Sequence, residues 1–420
     1  MNDAALPAAG GISALGGIRV LDFTRHIAGP CATQFLADYG ADVIKVEGLP
    51  HGDGARRTGT VFQHGESGLF LVANHGKRSL ALDLRSPQTR EAIDNLVRKS
   101  DVLIENFRPG VAAKLGIGYD RCAELNPRLV YLSISAFGQT GPLAELPGTD
   151  PVVQAMSGIM SVTGEPGGGP VLVGVPVADF TSGMVGAQAV MLALLARHQT
   201  GRGQKVELSM LSALISSWTT RLAAYWGEGK DPVAHGNAHS AVTPYQAYRT
   251  ADGHAVAGVW GAGEGWSKFC DAVGRLDLVD DPRFSDNIRR TAAKVELNAI
   301  LEPIFASKTT EAWSRIFAEK RALFGPVQKF SEVLSHPQVV ASGLVTTVEH
   351  PTIGTLKQLG PVIDLADTPG RVSRPPPLLG EHTAEVLAEA GLSDAAIERL
   401  FADGLAGRPR VAAPMEQTTP

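Results

Sequence analysis

The chain has 420 residues, a net charge of −5 and 44% hydrophobic residues, a composition that fits a globular protein of two or three domains and excludes a disordered or fibrous one. The mildly acidic balance lacks the clustered basic surface that nucleic acid requires, so no nucleic-acid partner is expected. Cys31, Cys122 and Cys270 are too few and too widely spaced for a disulfide framework or a zinc ribbon, which points to a reducing cytoplasm.

The opening segment MNDAALPAAGGISALGG has no basic n-region, so secretion is not expected. Residues 18–23 (IRVLDF) read as a buried strand. Gly29-Pro30 then opens a helix with Phe35, Leu36 and Tyr39 at helical spacing, Gly40 ends it, and DVIKVE at 42–47 forms the next strand. This βαβ unit favours a parallel sheet. The pattern repeats with a strand at 79–84, a helix opened by Ser86-Pro87 and running to Lys99, and a strand at 101–105. Strands at 129–137 and 204–209 flank a long helix over about 180–198. Its apolar run, 183–196, is shorter than a bilayer span and meets Arg197, so no membrane partner is expected. The first 220 or so residues therefore read as a doubly wound, Rossmann-like α/β domain.

From about 228 the texture changes. Two alternating runs around Asp252-Gly253 predict a hairpin, and residues 264–335 carry mostly helical patterns, giving a smaller α+β domain. The chain after 336 is rich in Pro and Gly, includes Arg374-Pro375-Pro376-Pro377, carries an amphipathic helix at 382–403, and ends in a polar tail expected to be disordered. The predicted boundaries are 1–225 for the large domain, 226–335 for the small one, 336–410 for a linker and return to the large domain, and 411–420 for the tail.

Asp179, in GVPVADFTSGM, sits where an extended stretch gives way to the long helix. It reads either as an N-cap accepting a backbone N–H or as a carboxylate nucleophile, which needs no general base once ionised. The Gly-rich stretches at 163–170 and 258–266 lack the dinucleotide fingerprint and read as turns, although alternation of Gly261, Gly263 and Gly265 also permits a mobile flap. His235 and His239 have the spacing of a helical metal pair, but Gly236 and Asn237 lie between them and no HExxH pattern is present, so no metal site is expected. Arg56-Arg57 and Lys77-Arg78 read as solvated surface or as phosphate-binding pairs near the strand ends.

The segments VLDFTRHIAGPCATQFLADYGADVIKVE, NHGKRSLALDL, ENFRPGVAAKLGIGYD and PVADFTSGM together resemble the class III CoA-transferase family, which includes formyl-CoA transferase and the α-methylacyl-CoA racemases. The resemblance runs in order from about residue 17 to 215, continues more weakly, and returns at RPPPLLGEHT, 374–383. It implies a two-domain subunit, an interlocked homodimer, and acyl-CoA:carboxylate CoA transfer. By similarity Asp179 attacks the thioester of acyl-CoA, and aspartyl-acyl anhydride and aspartyl-CoA thioester intermediates follow. The carried-over CoA site comprises Ile27, Ala28, Leu82, Asp83, Leu84, Arg85, Asn106, Phe107, Arg108 and Lys114. Leu146 to Thr149 borders the acyl end, and Gly261, Ala262, Gly263 and Glu264 match the family's glycine loop.

Three departures qualify the resemblance. Ile27 replaces a Gln of formyl-CoA transferase, which removes an amide donor and disfavours formyl transfer. Gly48 replaces an Arg found in many relatives, leaving Arg56 or Arg57 to supply a phosphate contact. Thr149 stands where racemases carry a His, and Thr is no general base near neutral pH, so a 2-methylacyl-CoA racemase is the disfavoured alternative. A succinyl-CoA and dicarboxylate pair is the expected substrate class, and a catalytically silent CoA-binding protein is the remaining alternative.

Overall fold

The computed structural model describes residues 12–260 and 264–409. Polar tail residues 411–420 and loop residues Gly261, Ala262 and Gly263 lie outside the described residues. Two compact units emerge. One holds the described chain up to Ser157, Val173–Leu222 and the chain from Gln338, while the other holds Gly158–Leu172 and Ala223–Pro337. The Gly-rich 163–170 stretch thus joins the smaller unit, where Gly164 lends its carbonyl to the Gly236 N–H at 2.9 Å.

The elements of the large unit used below are β1 (Arg19–Asp22), α1 (Ala28–Asp38), β2 (Asp42–Gly48), β3 (Lys77–Leu82), α2 (Arg90–Arg98), β4 (Val102–Glu105), β5 (Val130–Ser135), α3 (Asp150–Met156), α4 (Val177–Thr200), β6 (Lys205–Ser209) and α5 (Met210–Ile215). All six strands are parallel, in the spatial order β3-β2-β1-β4-β5-β6. This is the doubly wound order, and its topological switch point lies between β1 and β4. The inner strands are buried on both faces, which is why they read as unbroken apolar runs.

The β3 strand begins two residues before its apolar run. Lys77 and Arg78 are therefore sheet residues, not loop or surface ones, and each is neutralised by distant carboxylates. Arg78 pairs with Asp42 at 2.7 Å, Glu385 at 2.7 Å and Glu389 at 2.8 Å. Lys77 pairs with Asp22 at 3.1 Å, with both side chains fully buried. Ser86 caps a short 3-10 turn, Pro87–Thr89, before α2 starts.

The long helix α4 spans 24 residues, more than its apolar run, and is by length and composition apolar enough to cross a membrane. In this structure its small residues Ala178, Ser182, Gly183, Gly186 and Ala187 are buried. They recur three to four residues apart and so make one close-packing stripe. A Cβ at Gly183 would lie 2.8 Å from Cys31 Cβ and 2.9 Å from the Ala28 carbonyl of α1, and one at Gly186 would lie 3.3 Å from Ile134 of β5. Gly183→Val is accordingly expected to force α1 and α4 apart and to cost about 1–3 kcal/mol in a denaturant melt. A variant as stable as the wild type would contradict this packing.

In the smaller unit β7 (Tyr245–Arg249) and β8 (His254–Gly258) form the predicted hairpin, closed by Thr250 N–H to Gly253 O at 2.9 Å. A third antiparallel strand, β9 (Leu323–Pro326), completes the sheet. Helices α6 (Gly265–Val273), α7 (Lys294–Ala306) and α8 (Thr310–Lys320) supply an aromatic core of Phe269, Phe305, Trp313 and Phe317 with Tyr248 of β7.

Back in the large unit, the Pro- and Gly-rich segment holds an unforeseen hairpin, β10 (Val345–His350) and β11 (Gly354–Leu359). The single helix expected over 382–403 is two, α9 (Thr383–Glu389) and α10 (Asp394–Ala402). Gly391, at φ 93°, ends the first and Ser393 caps the second, accepting from Ala396 N–H.

Candidate active site

The crevice beyond the carboxyl ends of β1 and β4 is the place where a doubly wound sheet binds ligands. Here the two strand-end loops are tied together. Arg25 N–H donates to Asn106 Oδ1 at 2.8 Å, and Asn106 Nδ2 donates back to the Arg25 carbonyl at 2.9 Å. The Arg25 guanidinium lies 5.0 Å over the Phe107 ring and passes above Gly48, with Nη2 4.0 Å from where a Cβ would stand. Its neighbour His26 adopts φ 63°, a left-handed conformation costly for a residue with a Cβ. The His26 N–H donates to Asp53 Oδ1 at 3.1 Å, and Asp53 Oδ2 pairs with Lys45 at 3.0 Å, so buried charges hold the strain.

Beneath this turn Asp22 accepts from Thr24 N–H at 2.9 Å and from the Thr33 hydroxyl at 2.7 Å. Burial alone would raise the Asp22 carboxyl, but Lys77 and Lys45 overturn that and hold it well below the usual carboxylate range. Burial pulls the Lys77 ammonium down to about 8, which leaves it charged at neutral pH.

A cavity of about 230 Å³ opens at the switch point. Of the residues singled out in the sequence it gathers Ala28, Asn106, Phe107, Arg108, the segment Leu146 to Thr149, and Asp179. It also gathers Arg25, His26 and Asp150, which sequence reasoning missed. At below the ~300 Å³ of a drug-sized pocket, it admits the reacting end of a ligand rather than a whole nucleotide.

Asp179 is not a cap. The N-cap of α4 is Pro176, and Asp179 lies in the first turn, with no side-chain hydrogen bond among the described residues. Two free N–H groups of that turn go elsewhere. Val177 N–H donates to the Val175 carbonyl at 2.7 Å and Ala178 N–H to Asp150 Oδ1 at 3.2 Å. Burial first, and the neighbouring Asp150 charge second, push the Asp179 carboxyl up to about 6. It is mostly ionised at pH 7, undonated, and more basic than an ordinary carboxylate. Cys31 is no rival nucleophile, because burial outweighs the opposing Lys77 charge and, with the Asp179 charge, pushes its thiol up to about 11.

Other candidates fall outside the cavity. Arg56 is buried and turned inward, with Nε 2.7 Å from Glu47 Oε2, Nη2 2.8 Å from Glu47 Oε1, and its guanidinium 3.6 Å over the Phe70 ring. It is therefore not placed for a phosphate, which corrects the expectation from Gly48. Leu82 and Leu84 point into the apolar core, and Asp83 N–H is spent on the Leu405 carbonyl at 2.8 Å. Arg57, Arg85 and Lys114 are exposed cations, and Ile27 is half-buried at the start of α1.

Glu264 is exposed and paired with Lys268 at 2.9 Å. It lines a separate cavity of about 760 Å³ in the smaller unit with Trp260, His239 and Tyr245. His235 and His239 are not on a helix, so their spacing does not bring them to one face, and His239 stacks on Tyr245 at 5.5 Å.

A model of the family described as CoA-transferase family III matches residues 15–383. The succinate–glutarate CoA-transferase of Agrobacterium fabrum is 39% identical over 386 residues, covering 89% of this chain and 95% of that protein. The succinyl-CoA:glutarate CoA-transferase of Homo sapiens is 35% identical over 395 residues, covering 94% and 90%. Among solved structures, a CAIB/BAIF family protein from Brucella suis superposes with a TM-score of 0.81 at 34% identity, covering 90% of this chain and 99% of that one.

Proposed function

The chain belongs to CoA-transferase family III, and on that premise we propose that it moves CoA between succinate and a second dicarboxylic acid through covalent intermediates on Asp179. The observation that carries this reading is an ionised, undonated carboxylate in a small cavity at the switch point of the sheet.

An Asp179 oxygen attacks the thioester carbonyl, the C–S bond breaks, and CoA departs as thiolate, leaving an aspartyl-acyl anhydride. The thiolate attacks the aspartyl carbonyl, releases the first acid as its carboxylate and forms the aspartyl-CoA thioester. The second carboxylate attacks that thioester, and the thiolate then takes the new acyl group and restores Asp179. Charge is conserved at each step. The first-turn N–H groups of α1, beside Ala28, are suited to the tetrahedral oxyanion, and water must be kept from the anhydride.

Arg25 and Arg108 line the cavity and make no ion pair among the described residues. They suit the CoA phosphates and the far carboxylate that a dicarboxylate keeps after acylation. Arg85 and Lys114 extend this charge outward, and Arg25, crossing Gly48, fills the role once expected of Arg56. No step invokes a metal. Exposed apolar side chains on α4, Phe180, Leu192 and Leu195, suit a surface covered by a second copy of the chain, in keeping with an interlocked homodimer. Cytoplasmic location is proposed on the cysteine usage.

The test is a transfer assay with succinyl-CoA and a panel of acids. Glutaryl-CoA, or the thioester of a similar dicarboxylate, is expected, whereas transfer to monocarboxylates alone would contradict the substrate class. No deuterium should enter the α-carbon of a 2-methylacyl-CoA in heavy water, because Thr149 supplies no second base.

A further inference from the structure

An acidic side chain three positions into a helix ordinarily bonds back to the N-cap N–H. At α4 that donor does not exist, since Pro176 has no N–H. The two N–H groups that follow are taken, one by the Val175 carbonyl and one by Asp150. Asp150 is 6% exposed and belongs to another helix, α3. Its own orientation is fixed by Gln154, also buried, whose Nε2 donates to both Asp150 oxygens at 3.1 and 3.0 Å while its Oε1 accepts from Val173 N–H at 2.9 Å. Gln154 thereby links the loop that leads into α4 to the carboxylate that closes its first turn.

We propose that Asp150 is a positioning residue for Asp179: by accepting the Ala178 N–H it caps α4 from outside and leaves the Asp179 carboxylate undonated toward the cavity. A helix start would normally soak up a nearby carboxylate as a cap and make it a poorer nucleophile. Here a second carboxylate does that work, and its charge lies beside Asp179 as well. Burial and this charge act in the same direction on the Asp179 carboxyl.

The other groups around Asp179 do not substitute for it. Cys31 of α1 is a neutral thiol, and Arg25, His26 and Arg108 come from the strand-end loops that line the same cavity. From β5 the cavity receives only Ile134 and Ser135, α5 carries no titratable residue, and Lys205 and Glu207 of β6 pair with one another at 2.5 Å.

The inference rests on Asp179 being the nucleophile, and one experiment separates the two claims. Single-turnover acylation of Asp179 by succinyl-CoA is followed against pH in the wild type, Asp150→Asn, Asp150→Ala and the double variant Asp150→Asn with Gln154→Glu. Wild-type acylation is expected to rise with a midpoint near 6. In Asp150→Asn the midpoint falls toward the ordinary ~4, without reaching it because burial remains, and the plateau rate drops while KM for acyl-CoA holds. Asp150→Ala, which also frees the helix start, is expected to be slower by about 100-fold.

In Asp150→Asn two amide donors face each other, and Gln154→Glu turns that clash back into a donor–acceptor pair, so part of the rate returns. Asp150→Asn retains the side-chain shape and serves if Asp150→Ala fails to fold. Wild-type acylation with an unchanged midpoint and plateau in Asp150→Asn overturns the role of Asp150 alone. No acylation in the wild type overturns the nucleophile and this inference together.

Discussion

Replacing Asp179 by Asn is expected to abolish CoA transfer, by roughly 10⁴–10⁶-fold, while leaving the protein folded and more stable at neutral pH than the wild type. The first half follows from the chemistry. A carboxamide is no nucleophile, no neighbouring group takes over, and loss of a covalent nucleophile removes every step at once. The second half follows from the carboxyl's raised position, about 6 against an ordinary 3.8. The native state holds its proton through that window and the unfolded chain does not, so the contribution of Asp179 to wild-type stability falls as pH rises from about 4 to about 6. A displacement of two pH units corresponds to ~3 kcal/mol, reduced to about 1–2 kcal/mol because Asp179 is only partly buried.

The Asn variant carries no such burden, so its stability advantage over the wild type should be absent near pH 4 and grow as the pH rises to about 6 and above. A cap lost at this position would instead destabilise by about 0.5–2 kcal/mol. The sign of the stability change therefore distinguishes a nucleophile held undonated from a structural cap. Destabilisation at pH 7, or retained transfer, would contradict the assignment.

Lys77→Met should destabilise the protein by about 3–5 kcal/mol, the cost of leaving a buried charge without its partner. Lys77 Nζ donates to Asn74 Oδ1 at 2.8 Å and to the carbonyls of Pro30 and Ala73, each at 3.1 Å, besides pairing with Asp22. One ammonium thus binds β3, the β1 end and the first turn of α1, the floor of the candidate site. Methionine fills the volume and satisfies none of these oxygens.

Asp22→Asn added to Lys77→Met removes the orphaned charge, so the double variant should be more stable than Lys77→Met alone, with coupling of about 0.5–3 kcal/mol. Equal effects that simply add would refute the shared network. The pH sense is fixed as well. Because the Asp22 carboxyl is held below its ordinary value, its stabilisation is present above pH ~4 and is lost on further acidification.

The strands and helices of the large unit were legible because a doubly wound sheet buries both faces and its crossover helices keep a 3.6 period. Asp179 was legible by its place before the long helix and by its motif. What it does there was not, because the group that caps α4 in its stead lies 28 residues from Ala178, on a different helix.

Lys77 and Arg78 misled for the same reason. A basic pair looks solvated until its partners are known, and Glu389, which accepts from Arg78, is 311 residues distant. Arg56 was expected at a phosphate, yet it meets Glu47 of the preceding strand and the Pro377 carbonyl 321 residues on. The β10–β11 hairpin carried a usable signal in the β-branched run Val345-Thr346-Thr347-Val348, masked by the Pro and Gly around it.

The most direct measurement is mass spectrometry of the Asp179 peptide after incubation with succinyl-CoA and quenching with hydroxylamine, which converts an activated aspartyl carbonyl into a hydroxamate. The expected result is a hydroxamate at Asp179 that requires acyl-CoA and disappears in Asp179→Asn. Ongoing CoA transfer with an unmodified Asp179 peptide would contradict covalent catalysis by this residue.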